Sequence, residues 1–302
     1  MGKKFSGVSQ TMSRFRDWIQ AGATLLTNLH LPNFLKGGLY QGAGKTVCVP
    51  GLNCYSCPAA SGACPIGAFQ AVVGSSKFSF SYYITGFLIL LGVLLGRFIC
   101  GFLCPFGWFQ ELLHKIPTKK LSTKRLKPLT YLKYAVLLVM VFLLPAFLVN
   151  DVGMGDPFFC KYLCPQGVLE GAIPLSLANS GIRAALGKLF TWKFSILLSV
   201  IALSVLFYRP FCKWLCPLGA FYALFNRVSL FQMKVDKNKC VSCGKCARAC
   251  KMDVDVTKTP NHTECIRCGM CIRACPTNAV CFRYGFGNGK ENTTKINTEE
   301  SK

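Results

Sequence analysis

Long apolar runs separated by polar and basic stretches predict a chain that crosses a membrane several times. The clearest run, residues 78–99, would form about 33 Å of helix, which is enough to span the hydrocarbon core of a bilayer. Two further runs, residues 131–149 and 194–208, are also strongly apolar, and residues 18–34 form a weaker candidate that carries several polar side chains. The pattern therefore predicts a membrane all-α fold with about four transmembrane helices.

Positive charge is distributed unevenly between the predicted loops. The N-terminus and residues 115–133 are rich in Lys and Arg, whereas residues 36–77 and 150–193 contain much less. The positive-inside rule then places both termini in the cytoplasm of a multi-pass protein in the bacterial cytoplasmic (inner) membrane. The net charge of +23 could indicate nucleic acid, but in a chain that is 52% hydrophobic, basic loops and anionic lipid account for it. We therefore predict a membrane as partner and no nucleic acid.

Two cysteine runs near the C-terminus share the spacing C-x2-C-x2-C-x3-C, which is typical of bacterial ferredoxins with two 4Fe–4S clusters. In that arrangement the fourth ligand of each cluster comes from the other run. The predicted ligands are Cys240, Cys243, Cys246 and Cys275 for one cluster, and Cys265, Cys268, Cys271 and Cys250 for the other. Zinc is the alternative, because C-x2-C pairs also bind zinc, but two complete runs in tandem favour clusters.

The cysteine runs and the apolar runs divide the chain into three predicted parts. Residues 1–232 form a membrane domain with cysteine motifs at both faces. Residues 233–284 form a small α+β ferredoxin domain with two 4Fe–4S clusters. Residues 285–302, which are mostly Gly, Asn, Thr, Lys and Glu, are predicted to be a disordered tail.

An internal repeat supplies further candidate ligands. The pattern R-x2-C-x3-C-P-x-G occurs over residues 97–107 and again over residues 209–219, which are 112 positions later. Cysteines four residues apart lie on one face of a helix, so each motif offers two thiolates to the same point. Inert buried cysteine is the alternative. The repeat predicts an inner membrane cluster whose ligands are Cys100, Cys104, Cys212 and Cys216.

A second membrane cluster, the outer one, is predicted from incomplete copies of the motif, at residues 159–167 and 64–67. Symmetry pairs Cys160 and Cys164 with two of Cys54, Cys57 and Cys64. The set that we select is Cys160, Cys164, Cys57 and Cys64. Two alternatives stay open: Cys48, Cys54, Cys57 and Cys64 could bind a cluster of their own, or some of these cysteines could form a disulfide. One or two iron–sulfur clusters are thus expected in the membrane domain, beyond the two of the ferredoxin domain.

The predicted helices, the paired C-x3-C-P motifs and the C-terminal two-cluster ferredoxin resemble the NapH/NosR-type membrane polyferredoxins. The resemblance covers most of residues 12–283. It implies a protein that relays electrons between a membrane quinone or flavin partner and a redox enzyme or soluble carrier. The expected protein partner is a flavoprotein, a quinone-linked oxidoreductase or a soluble oxidoreductase.

The sequence predicts no catalytic residues. It contains three histidines, and none stands beside a suitable nucleophile or a second metal-ligand candidate. A non-catalytic electron-transfer subunit of an oxidoreductase complex is therefore the leading interpretation. The alternative is a metalloreductase, or an assembly or regulatory factor for a respiratory metalloenzyme.

Overall fold

The computed structural model describes residues 2–75, 81–151 and 154–285. Apart from Gly285, the predicted disordered tail lies outside the described residues. The described part is mostly helical and has one two-stranded sheet. The α-helices are α1 (Gly2–Arg14), α2 (Arg16–Thr27), α3 (Asn33–Lys36), α4 (Pro65–Gly74), α5 (Tyr82–Leu95), α6 (Phe98–Phe102), α7 (Pro105–His114), α8 (Leu132–Val136), α9 (Leu144–Phe147), α10 (Ile173–Ala178), α11 (Ser180–Ala184), α12 (Lys188–Leu206), α13 (Pro210–Trp214), α14 (Pro217–Phe225), α15 (Lys245–Ala249) and α16 (Met270–Ala274).

Tighter and wider helical turns connect several of these helices. The 3₁₀ turns are Ala43–Thr46 and Lys124–Tyr131, and the π-helical turns are Leu137–Leu143, Phe159–Leu163 and Gly167–Ala172. The strands are β1 (Phe231–Val235) and β2 (Val280–Tyr284), which pair antiparallel with Phe231 opposite Tyr284 and Val235 opposite Val280.

Two helical stretches are long and apolar enough to cross a membrane, Arg125–Phe147 and Lys188–Leu206. They coincide with the third and fourth predicted spans. The second predicted span corresponds to the shorter helix α5, and its first residues fall in the gap at 76–80. In the described ranges, two helices rather than four are thus long and apolar enough to be candidate membrane spans.

The first predicted span differs most from the structure. The helix α2 ends at Thr27 instead of continuing to Phe34. Its polar side chains are anchored within the protein, because Arg16 Nε and Gln20 Nε2 donate hydrogen bonds to the carbonyl oxygen of Gly101, at 3.0 and 2.9 Å. These polar contacts hold α2 against the protein in place of a uniformly apolar, lipid-facing surface.

Cysteine–proline pairs set the direction of the chain in the helical part. Cys64, Cys104 and Cys216 each stand immediately before a helix, in extended conformation, and the next residue is a proline in the first turn. Proline suits that position because the amide hydrogen that it lacks has no partner there in any case. The motif therefore folds as a short helix, a turn at the second cysteine and a new helix.

The C-terminal part forms a small unit with its own core around β1 and β2. Met233, Ile272, Val280 and Phe282 are buried together in it. The helix α1 packs against β2 and α16. The N-terminal helix thus covers the ferredoxin unit, although the sequence assigned its residues to the range 1–232.

Buried ion pairs attach the ferredoxin unit to the helical part. The carboxylate of Glu264 accepts hydrogen bonds from Arg97, at 2.9 Å, and from Lys133, and both cations are fully buried. Burial alone would raise the pKa of Glu264, but the two cations outweigh it and lower the pKa to about 2. In addition, Arg267 donates to the carbonyl oxygens of Leu95 and Asn226, at 2.8 and 2.6 Å. The two parts are therefore held in a fixed relation.

Candidate metal centres

The cysteines of the first ferredoxin set lie around one small cavity. It has an empty volume of about 330 Å³, and its lining includes Cys240, Cys243, Cys246 and Cys275. The fourth cysteine comes from the second run, as the crosswise assignment expects. The geometry brings together the four thiols that a 4Fe–4S cube requires.

The second ferredoxin set is also close together. The Cys271 thiol lies within electrostatic range of Cys265, Cys268 and Cys250. The two runs have the same backbone shape, with a left-handed glycine before each short helix, Gly244 (φ 68°) and Gly269 (φ 78°). A side chain would be strained at that conformation, so glycine lets both loops close around their cysteines.

The inner site is formed by the two complete motifs, one on α6 and α7 and the other on α13 and α14. Its four cysteines are buried and line a cavity with an empty volume of about 290 Å³, together with Leu52, Tyr222 and other apolar groups. The members of the inner site are Cys100, Cys104, Cys212 and Cys216. All four predicted inner cysteines thus face the same enclosed space.

The arginine and the glycine of each complete motif fit together across the inner site. A methyl group on Gly107 would lie 2.8 Å from Nη1 of Arg209, and one on Gly219 would lie 3.6 Å from Nη2 of Arg97. Each arginine therefore packs on the Cys-Pro turn of the opposite motif, and Arg209 also donates to the carbonyl oxygen of Cys100. The sequence revealed the shared Arg and Gly but not this crossed contact.

The electrostatics of the inner site disfavour free thiolates. Burial raises the pKa of the Cys104 thiol to about 12, and the neighbouring Cys212 and Cys100 add to the shift. Such a thiol is protonated at neutral pH unless a cation stabilises the thiolate. Positively charged Arg97 and Arg209 are fully buried beside the motifs, and both carry nitrogen atoms without a hydrogen-bond partner. These charges suit an anionic iron–sulfur–thiolate centre.

The cavity near the third motif is lined by Cys54 of the loop, whereas the predicted outer set contained Cys57. A cavity with an empty volume of about 1260 Å³ is lined by Cys54, Cys64, Cys160 and Cys164, which we call the outer site. Cys57 is not part of that lining. It packs against Ala59 and Ala60, and its Sγ lies 3.5 Å from Oδ1 of Asn28. The cavity thus brings together three of the four selected cysteines, Cys64, Cys160 and Cys164, with Cys54 in the place of Cys57.

The positions of the cysteines also bear on the two alternatives that the sequence left open. Cys48 is buried, does not line the outer cavity, and has a backbone bridge to Ala63. All nineteen cysteines are free thiols in the structure. The symmetric arrangement, with two cysteines from the loop and two from the third motif, is thus the one that the geometry supports.

In the described ranges, no group of three or more His, Cys, Asp or Glu side chains is spaced to hold a single metal ion. The thiols of the inner site instead surround a volume. A cube of four irons spreads its ligating thiolates farther apart than one ion does. The donor sets of the first ferredoxin site, the inner site and the outer site, each with four cysteines around a cavity, fit an iron–sulfur cluster.

Successive cysteine sites are neighbours, and we call them the row; α15 and α16, which carry cysteines of the two ferredoxin sets, pack against each other. A methyl group on Gly101, the neighbour of Cys100, would overlap the carbonyl oxygen of Ile266 and lie 3.7 Å from the backbone nitrogen of Cys268, so the second ferredoxin set packs directly on the inner site. Leu52 lines both the inner and the outer cavity. The sequence had suggested one membrane cluster near each face, whereas in the structure the two cavities are neighbours.

Comparison with known proteins agrees with this division of the chain. A family model described as a 4Fe-4S binding domain matches residues 62–82, 79–124, 133–173 and 189–238, and each segment contains one Cys-Pro motif. A model described as a 4Fe-4S dicluster domain matches residues 232–276. The internal repeat and the two-cluster ferredoxin are thus both matched.

Curated relatives match between 36% and 66% of the chain. The uncharacterized protein MJ0750 of Methanocaldococcus jannaschii is 32% identical, over 66% of this chain and 77% of its own length. The putative electron transport protein YccM of Escherichia coli is 26% identical, over 56% of this chain and 45% of its own. The regulatory protein NosR of Stutzerimonas stutzeri is 27% identical, over 53% of this chain and 21% of its own. Ferredoxin-type proteins named MauN and NapH also match. No solved structure matches the chain.

Proposed function

The chain belongs to the family of ferredoxin-type 4Fe-4S binding proteins, whose named members include polyferredoxins, and from that premise we propose that it is a membrane-bound electron relay. Electrons pass through four clusters, two in the ferredoxin unit and one each in the inner and outer sites. They move between a membrane quinone or flavin partner and a redox enzyme or soluble carrier. The protein itself is a non-catalytic subunit, and its residues hold and tune the clusters.

The observation that carries this proposal is the unbroken row of cysteine sites. Electron transfer between clusters requires close approach, since the rate falls steeply with distance. Gly101 removes the side chain that would separate the inner site from the second ferredoxin set, and a single leucine, Leu52, borders both membrane cavities. Tyr222 lines the inner cavity too, and its hydroxyl donates to the carbonyl oxygen of Pro50, at 3.0 Å, which holds the loop that carries Leu52.

The exposed end of the row suits exchange with a soluble protein. Cys243 is exposed, and the cysteine run around it carries the exposed cations Lys237, Lys239, Lys245 and Arg248. A redox partner with an acidic docking surface would be steered to this end by charge. The proposal therefore places the contact with a soluble carrier at the first ferredoxin cluster.

Membrane insertion is supported by the outward faces of the two long helices. Only 28% of the apolar window in Arg125–Phe147 and 17% of that in Lys188–Leu206 is buried inside the protein. Apolar helices of this length whose side chains are not buried in the protein are suited to span a lipid bilayer. We propose that the protein is a multi-pass protein of the cytoplasmic membrane with the ferredoxin unit and both termini on the cytoplasmic side. A reporter fused after residue 302 tests this, and activity on the outer face alone would contradict it.

The relay can be tested in proteoliposomes. A membrane-impermeant reductant is supplied on the side of the ferredoxin unit, and an impermeant electron acceptor is enclosed on the other side. The wild-type protein should carry electrons across, and Cys212→Ala should lose most of that rate because the row is interrupted at the inner site. Cys281→Ala is the matched control, since Cys281 lies on β2 outside the four sets. An unchanged rate in Cys212→Ala, with the inner cluster gone, would rule out the relay.

The alternative of a regulatory or assembly factor is favoured by one observation, the match to proteins named NosR. This chain covers only 21% of the length of the matched Stutzerimonas protein. Most of that protein therefore has no counterpart in the aligned region. Electron transfer remains the function that the geometry of the aligned region supports best.

A further inference from the structure

Two glutamines occupy equivalent places in the inner and outer sites. Gln70 and Gln110 each follow a C-P-x-G turn, six residues after Cys64 and Cys104 respectively. They lie on α4 and α7, and both are fully buried. A buried amide must find partners for its oxygen and its nitrogen, so its contacts are informative about the site.

Each glutamine makes the same pair of contacts with the motif that faces it. At the inner site, Gln110 Oε1 accepts a hydrogen bond from the backbone nitrogen of Phe211, at 3.1 Å, and Nε2 donates to Sγ of Cys212, at 3.1 Å. At the outer site, Gln70 Oε1 accepts from the backbone nitrogen of Phe159, at 2.9 Å, and Nε2 donates to Sγ of Cys160, at 3.2 Å.

The orientation of both amides is fixed by chemistry. A backbone N–H can only donate, so the atom that faces Phe211 or Phe159 must be the amide oxygen, and the NH₂ group then faces sulfur. The NH₂ group has a second acceptor in its own helix, the carbonyl oxygen of Phe106 for Gln110, at 3.3 Å, and that of Ile66 for Gln70, at 3.2 Å. Each glutamine is thus locked, with one N–H directed at one cysteine sulfur.

We propose that Gln70 and Gln110 are positioning residues that hold the first cysteine of the facing motif and set the reduction potential of the cluster beside them. This rests on the proposed function, because it requires a cluster at each site. Reduction adds negative charge that is shared with the ligating sulfurs, and a directed N–H of a buried amide stabilises that charge. Each hydrogen bond therefore raises the potential of its own cluster.

The glutamine contact that both sites share is also evidence about the role of the outer cysteines. The third motif lacks the arginine, and the loop supplies Cys54 and Cys64 at a different spacing. The cysteine pattern alone is therefore weak evidence that the outer site is equivalent to the inner one. The glutamine contact does not depend on that spacing. Its presence at both sites indicates that the outer cysteines, like the inner ones, serve as cluster ligands.

The test compares variants at the two positions in the full-length protein, purified without oxygen. Gln110→Glu keeps an oxygen for the amide of Phe211 but removes the donor to Cys212, and Gln110→Met removes both contacts at similar volume. Gln70→Glu and Gln70→Met do the same at the outer site. Iron and sulfide content and the potential of each cluster are measured by redox titration followed by EPR, with Cys216→Ala and Cys164→Ala used to assign the signals.

The Gln110 variants should lower the potential of the inner cluster, or lose that cluster alone, and leave the outer one unchanged. The Gln70 variants should do the reverse, so each pair is the control for the other. Unchanged iron and unchanged potentials would overturn the inference, as would an equal effect on all clusters, which would indicate a general folding role. Wild-type protein with iron only in the ferredoxin unit would instead reject the proposed function before any glutamine is changed.

Discussion

The inner and outer sites are built from the same parts but differ in how completely they are enclosed. Both have two facing Cys-Pro turns and a glutamine that reaches across to a cysteine sulfur. The inner cavity has an empty volume of about 290 Å³, whereas the outer one has about 1260 Å³. The repeated motif therefore forms one more closed site and one more open site in the same fold.

The difference follows from the residues beside the turns. At the inner site, Arg209 fills the space next to Gly107. At the outer site, the residue near Gly167 is Lys193, whose Nζ would lie 3.3 Å from a methyl group there and donates to the carbonyl oxygen of Cys160, at 3.0 Å. The buried Oε1 of Gln166, on a residue of the cavity lining, has no hydrogen-bond partner. The outer site thus has empty space and an unpaired acceptor, Oε1 of Gln166, whereas the guanidinium group of Arg209 fills the space beside Gly107 at the inner site.

The largest expected effect is loss of one cluster from the closed site. Cys104→Ala should remove the inner cluster and leave both ferredoxin clusters intact, because the ferredoxin ligands come only from the C-terminal runs. Iron content and EPR of the purified protein measure this. Full iron content with unchanged spectra would mean that the inner cysteines are structural and that the inner site does not bind a cluster.

The next prediction concerns the ligands of the open site. Cys54→Ala should remove the outer cluster, whereas Cys57→Ala should leave it, since Cys54 lines the cavity and Cys57 does not. Iron quantitation distinguishes the two variants directly. The opposite result would restore the original selection of Cys57.

A third prediction tests the link between the inner site and the ferredoxin unit. Glu264→Gln leaves Arg97 and Lys133 buried without a counter-charge and should lower the stability of the attachment by about 3 kcal/mol. Arg97 also contacts the inner turn, so the inner cluster should become more labile than the outer one. Thermal unfolding and the rate of iron release report the two effects.

The matched control for this change is Asp236→Asn, which removes the exposed pair with Lys239 and should cost less than about 1 kcal/mol. The pH dependence gives a second check. Because the pKa of Glu264 is lowered from 4.5 to about 2, its contribution is fully present above pH 4.5 and is lost as the pH falls towards 2. The difference between wild type and Glu264→Gln should therefore shrink as the pH falls into this acid range.

The smallest effect should come from paired glycine changes. A methyl group on Gly107 would lie 2.8 Å from Arg209, which is buried and held by Glu111, whereas one on Gly67 would meet nothing nearer than Cys160 Sγ, at 3.6 Å. Gly107→Ala should thus destabilise the protein by about 1–3 kcal/mol, and Gly67→Ala should be nearly neutral. Equal unfolding temperatures would show that the arginine adjusts without cost.

Much of the site could be predicted because its signals are local. The ferredoxin spacings and the repeat of Cys100–Cys104 at Cys212–Cys216 lie within a few residues, and such spacings decide which thiols can share a face or a loop. Gln70 and Gln110 were missed although their offset from Cys64 and Cys104 is the same. A glutamine six residues after a C-P-x-G turn has no recognised chemical meaning until its partner is known.

The sequence by itself determined the chemistry of this protein: cysteines in cluster spacing, apolar helices and a basic chain. Tertiary structure alone decided that Cys54, rather than Cys57, lines the outer cavity, and that Leu52 borders both cavities. It also decided that Arg97 crosses to Glu264, a residue 167 positions away. These contacts depend on where distant segments meet, and the sequence pattern of each segment carries no record of its partner. Candidate cluster ligands are therefore readable from local spacing, whereas the contacts between the cysteine sites depend on the packing of the whole chain.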